Sequence, residues 1–237
     1  MRVTRTGSNR LASVSAKILA LVGFLSTMML VIAGVGLMQM QQIGTELDEI
    51  ATETVPLTTN VSKVSLHQLE QALLVERLLR VGKVGATGET GTLDDLTTSL
   101  FALAEKVQQE IVTAEKIAEG GIAIAHSEAQ RAKYQDVLDQ LKKIEREHAL
   151  YDQHIHTMVG HIEKGEIDKA TALAAELEGE QHRLNGELES LTEQLNAFLA
   201  ASSASAKEHE SNGLILMAVI SLAAIVAGVA FALALAT

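Results

Sequence analysis

Residues 145–166 read EREHALYDQHIHTMVGHIEKGE and hold four of the chain's eight histidines: His148, His154, His156 and His161. Histidine is the commonest metal ligand and the side chain that titrates nearest neutral pH. Such a run therefore raises metal or haem binding first. Helical spacing argues against it. Two ligands chelate one ion from the same helix when they are three or four residues apart, and no two of these histidines are. His154 and His161 are seven apart, about 10.5 Å along an axis that rises 1.5 Å per residue. At about 100° per residue the four split among three directions. His148 falls in an apolar seam, His154 and His161 share one flank, and His156 points outward. Asp152 and His156, four apart, could pair on the outer face. Glu145 and His148 form one E-x-x-H, and a carboxylate di-iron bundle needs a second. No P-loop, G-x-S-x-G or H-E-x-x-H occurs. We expect no catalytic residue, no metal site and no cofactor.

The second chemical feature is LEQALLVERLLR, residues 69–80. Arg77 and Arg80 are three apart on one helix, and an arginine pair can clamp a small carboxylate. His154 and His161 are expected at a similar height on another helix. Arg77, Arg80, His154 and His161 are therefore the expected ligand-binding residues, set between helices.

The elements that must position them follow from composition. The chain has 237 residues, no cysteine, no tryptophan and one proline, so disulfides, thiolate metal sites and a cysteine nucleophile are excluded. Arg2, Arg5, Arg10 and Lys17 precede the first acid, and residues 213–237 carry no charged side chain. The segment between holds all thirty acids against fifteen bases, net −15. Such an acidic middle argues against nucleic acid as a partner.

Two runs, Ile18–Met38 and Gly213–Leu235, are uncharged and long enough to cross a bilayer core of roughly 30 Å. The first is longer than a signal-peptide core and no clear A-x-A site follows, so we expect an uncleaved span. The four bases before it place the N-terminus in the cytoplasm by the positive-inside rule. A second span returns the C-terminus to that side and leaves the middle in the periplasm. Ala224, Gly228, Ala232 and Ala236 form a small-residue stripe that permits close helix approach.

The middle reads as four helices. In the first, Ile43, Leu47, Ile50, Thr54, Leu57, Val61 and Val64 alternate by four and three, a heptad seam. Pro56 interrupts it and should kink the helix or mark a bend. The pattern then slips and continues through Leu66, Leu69 and Leu73 to Leu79. Gly-rich residues 82–91 break it, and Thr92 or Asp94 should cap the second helix. That helix carries Leu96, Leu100, Leu103, Val107 and Ile111 and weakens near Gly120-Gly121. The third runs from Tyr134 through His148, Tyr151 and Ile155 to Ile162 and ends at Lys164-Gly165. The fourth carries Leu173 to Phe198 and should continue into the second span. The expected fold is all-α: an up-down-up-down four-helix bundle, membrane-anchored by two transmembrane helices continuous with its first and last helices. The parts are a basic tail over 1–17, a span over 18–38, the bundle over 39–212, a span over 213–235 and a cytoplasmic end at 236–237.

This arrangement resembles the sensor module of bacterial methyl-accepting chemotaxis proteins. At motif level VPLTTNVSKVSLHQLEQALLVERLLR, residues 55–80, is similar to the first sensor helix of many such receptors. The resemblance implies a homodimer in the inner membrane, a periplasmic small-molecule site near the dimer interface, and signalling through small displacements of the fourth helix. The family continues past its second span into a HAMP linker and a cytoplasmic signalling hairpin, whereas this sequence stops at ALALAT. The expectation is therefore either part of a longer receptor or a stand-alone protein that keeps the sensor fold. In the second case it would serve as a structural or accessory subunit among other membrane subunits, without a small-molecule ligand.

Overall fold

The computed structural model describes residues 8–84 and 92–236. Arg2 and Arg5 of the basic tail, residues 85–91 of the Gly-rich break and Thr237 lie outside the described residues. Every described element is helical: α1 (Ser8–Glu49), a π-turn (Ile50–Thr54), α2 (Val55–Val84), α3 (Leu93–Ile124), α4 (Glu128–Glu163) and α5 (Ile167–Ala236). The chain divides into two compact units. Glu49–Ala201 form one; residues up to Asp48 and from Ser202 form the other.

In the first unit α2, α3, α4 and the first half of α5 form a four-helix bundle. Side-chain pairs between the helices fix their directions. Thr54 meets Tyr134 and Gln71 meets Asp152, so α2 and α4 run the same way. Phe101 and Gln108 meet His156 and Glu145, and Lys143 and His154 meet Glu187 and Glu180, so α3 and α5 run against α4. The core is a stack of heptad residues, among them Leu57, Val61 and Leu78 of α2, Val107 and Ile111 of α3, Leu141 and Ile155 of α4, and Leu184 and Leu191 of α5. Burial of each large side chain contributes about 1.5–3 kcal/mol.

The helix ends follow local chemistry. Thr92 caps α3 in a capping box: its hydroxyl accepts from the Asp95 N–H, and Asp95 accepts from the Thr92 N–H. Ser127 caps α4 by accepting from the Gln130 N–H. The end of α4 is a Schellman turn. Gly165 adopts φ +72°, its N–H donates to Ile162 O at 2.9 Å, and the Glu166 N–H donates to His161 O at 2.8 Å. Among the described bundle residues this positive φ falls on glycine, which lacks the Cβ that would resist it.

The bundle departs from the sequence reading at three places. A π-turn, Ile50–Thr54, stands directly before Val55-Pro56, a feature that the heptad count did not include. The helix does not weaken at Gly120-Gly121: α3 continues to Ile124 and the turn falls at 125–127. A Cβ on Gly121 would stand 2.5 Å from the Tyr134 ring, so glycine there admits a buried aromatic rather than ending a helix. The third departure is the α2 register. The four-three spacing does not slip after Val64. It continues through Gln68 and Gln71 to Val75 and Leu78, with both glutamines essentially inaccessible at 1% and 0%. Leu66, Leu69 and Leu73 lie outside at 54%, 48% and 51% exposure. The reason is on α4, where polar groups occupy the same level of the core.

In the other unit α1 and the second half of α5 lie antiparallel. Phe24 stacks on Phe231 with centroids 5.1 Å apart, and His209 Nδ1 meets Glu46 Oε1 at 2.7 Å. Ala224 is buried, and a Cβ on Gly228 would meet Leu25 at 3.0 Å. This part of the small-residue stripe is the face turned to α1. Both helices are long and apolar enough to cross a membrane, and their outward residues, Leu30 and Val226 among them, are exposed apolar side chains.

Candidate functional site

The bundle core holds two buried polar layers. In the middle layer, Gln71 on α2 reaches two groups on α4. Its Nε2 donates to Asp152 Oδ1 at 2.7 Å, and its Oε1 accepts from His148 Nε2 at 3.3 Å. His148 is 1% exposed. Because Nε2 donates, a neutral His148 carries its proton there, and Nδ1 stands bare, 3.6 Å from Asp152 Oδ2. Nδ1 has no hydrogen-bond partner, and neither does Gln68 Nε2 in the same layer. Burial lowers the His148 pKa against the pull of Asp152, and burial raises that of Asp152 against His148 and the Gln71 amide. The pair can take one proton between two facing lone pairs.

The second layer flanks the π-turn. Tyr134 is wholly buried. Its hydroxyl donates to Glu49 Oε1 at 3.2 Å and, its one proton being used, accepts from Thr54 Oγ1 at 3.0 Å. Gln130 Nε2 donates to the other oxygen of Glu49 at 3.0 Å. Burial, reinforced by the Glu49 charge, raises the Glu53 pKa. Burial and these carboxylates hold the Tyr134 phenol protonated well above its ordinary range.

The sequence-predicted residues are placed as follows. Arg77 and Arg80 are exposed on α2, and among the described residues neither has an ion-pair partner. His154 Nδ1 is held by Glu180 of α5 at 2.9 Å. His161 Nδ1 is held by Glu166 in the α4–α5 turn at 2.6 Å, and Lys169 also binds that carboxylate. The histidines are thus tied to α5 and its turn, and no hydrogen bond joins them to the arginines. Asp152 turns inward to Gln71 rather than to His156, whose ring stacks on Phe101 with centroids 4.0 Å apart. Glu145 and His148 diverge, Glu145 accepting from Gln108. Among the described residues no three His, Asp or Glu side chains group as metal ligands.

Sequence reasoning found His148, Thr54 and Tyr134 on core seams but missed Gln68, Gln71 and the joining of Glu49 to Thr54 through Tyr134. The first two were signalled by an unbroken four-three count from Leu57. The last had no comparable signal, since it depends on a non-α turn. No protein-family model matches the chain, and no curated protein or solved structure matches it either.

Proposed function

We propose that the chain is a membrane-anchored sensor module of the chemoreceptor type. Its bundle binds a small ligand and passes the signal through its last helix. The observation that carries this reading is α5, one uninterrupted helix from Ile167 to Ala236. It contributes Leu177, Leu184, Leu188, Leu191 and Leu195 to the bundle core and then runs through the second apolar segment. A displacement of its core residues therefore has a continuous hydrogen-bonded path. In this reading the two apolar helices span the inner membrane, the N-terminal bases stay cytoplasmic and the bundle lies in the periplasm.

A ligand shifts only those states it distinguishes. The open part of the expected site is Arg77 and Arg80, since His154 and His161 are already engaged. The ligand class is a small carboxylate, and no catalytic step is involved. The exposed Leu66, Leu69 and Leu73 repeat at i, i+3 and i+7, the spacing of a second heptad seam. That seam supports a homodimer paired along α2.

The same apolar stripe favours the second reading, a structural or accessory subunit whose α2 face meets other membrane proteins. One experiment separates them. The full chain in lipid nanodiscs is screened by thermal shift against amino and organic acids. A ligand at about a hundred times its Kd should stabilise the bundle by about 2.7 kcal/mol, and an Arg77→Ala/Arg80→Ala variant should lose the effect. If no acid shifts the melt and native purification brings stoichiometric other subunits, the second reading stands.

A further inference from the structure

Glu49 and Thr54 are five residues apart and both bind one hydroxyl, that of Tyr134. On an α-helix five residues separate two side chains by roughly 140° around the axis, so one buried hydroxyl cannot reach both. In a π-turn the backbone closes from i to i+5, and residues five apart stack one above the other. The Val55 N–H bonds to Ile50 O, five residues back. Glu49, at φ −57° and ψ −45°, and Val55, at φ −68° and ψ −47°, keep ordinary helical dihedrals on either side. The turn is thus an extra residue inserted into an otherwise regular helix. The surrounding residues are shaped to it: Gly121 admits the Tyr134 ring, and a Cβ on Gly120 would stand 3.1 Å from the Glu53 carboxylate.

We propose that the π-turn Ile50–Thr54 is a register latch, closed while the Tyr134 hydroxyl holds Glu49 and Thr54 together and released to α-helix when α4 withdraws it. Release expels the extra residue from the turn. The helix before it must then rotate by about 100° and shift by about 1.5 Å, one α-helical residue. Gln130, which holds the other oxygen of Glu49, lies one turn before Tyr134 on α4, so one movement of that helix loosens both contacts. The use of the latch as a signal path rests on the sensor reading. Its two states do not, and they are testable with no ligand.

The test is hydrogen exchange on the full chain in nanodiscs, comparing the parent with Tyr134→Phe and Thr54→Val. Both substitutions keep the packing volume and remove one side of the latch. Amides 50–55 should exchange about tenfold faster in each, with Leu138–Ile144 of α4 as protected as in the parent. A second arm uses the absence of native cysteine. Glu46→Cys and His209→Cys, at positions whose native side chains are in contact, should cross-link several-fold more slowly in the Tyr134→Phe background. Parental exchange at 50–55 in both variants, loss of protection spread over α2 and α4, or an unchanged cross-linking rate would each overturn the latch.

Discussion

Replacing Gln71 by leucine puts into the α2 seam the residue type that heptad logic prefers, and it should nevertheless destabilise the bundle. Two hydrogen bonds are lost. The bond to Asp152, at 2.7 Å, has a carboxylate acceptor and is worth about 1.5–3 kcal/mol; the bond from His148, at 3.3 Å, is worth about 0.5–1.5 kcal/mol. Leucine returns about 1 kcal/mol through apolar burial. The expected net loss is about 2 kcal/mol, or a fall of about 4–8 °C in melting temperature for a unit of this size. The loss comes from stranded partners rather than from glutamine itself. A Gln71→Leu/His148→Leu/Asp152→Ala triple variant removes those partners and should recover most of the stability, as replacement of a buried polar set by apolar residues commonly does. Thermal denaturation of the full chain in nanodiscs, followed by proteolysis of the 49–201 unit, measures both. A Gln71→Leu protein that melts at or above the parent would refute the reasoning. So would a triple variant whose loss equals the sum of its parts.

Acid should weaken the same layer. Burial keeps His148 neutral, so below the ordinary histidine value of 6.5 the unfolded chain takes a proton that the folded chain resists. Stability should fall as pH drops from about 6.5 toward the lowered folded value, and His148→Leu should flatten that slope in a melt series. The raised Asp152 pKa works in the opposite sense just above its ordinary 3.8, where the folded state holds the extra proton. Gly121→Ala should cost about 1–3 kcal/mol by forcing the Tyr134 ring from its place, read as a lower melting temperature. Leu66→Lys/Leu73→Lys should change bundle stability by no more than about 0.5 kcal/mol, because both side chains are half-exposed. On the proposed pairing along α2, the parent should sediment as a dimer and the same variant as a monomer.

Much of the fold was legible because it rests on periodicity. The two apolar runs, the four-three repeats of α3 and α4, the Thr92 cap and the stop at Gly165 are local signals, each set by a few neighbouring side chains. The α2 register was misread because leucine is the stronger hydrophobic signal. Counting from Val64, the apolar choice slips to Leu66 and Leu69, whereas the folded helix keeps Gln68 and Gln71 inside. Single-helix hydrophobicity cannot register that His148 and Asp152 stand opposite and supply partners. Gly120-Gly121 was misread for a related reason. A glycine pair looks like a helix break until the ring that fills its space is known.

The sequence by itself determined an all-helical chain, its two apolar segments, its acidic middle and the placement of His148 in the core seam. These follow from residue type and helical angle. Tertiary structure decided which polar groups are functional candidates. It tied His154 and His161 to carboxylates on α5 and its turn, left Arg77 and Arg80 open, buried Gln71 with His148, and joined Glu49 and Thr54 through one hydroxyl of α4. The physical reason is that a buried polar group is defined by its partner. The partners of Gln71, Glu49 and Thr54 lie 77 to 85 residues away in the chain.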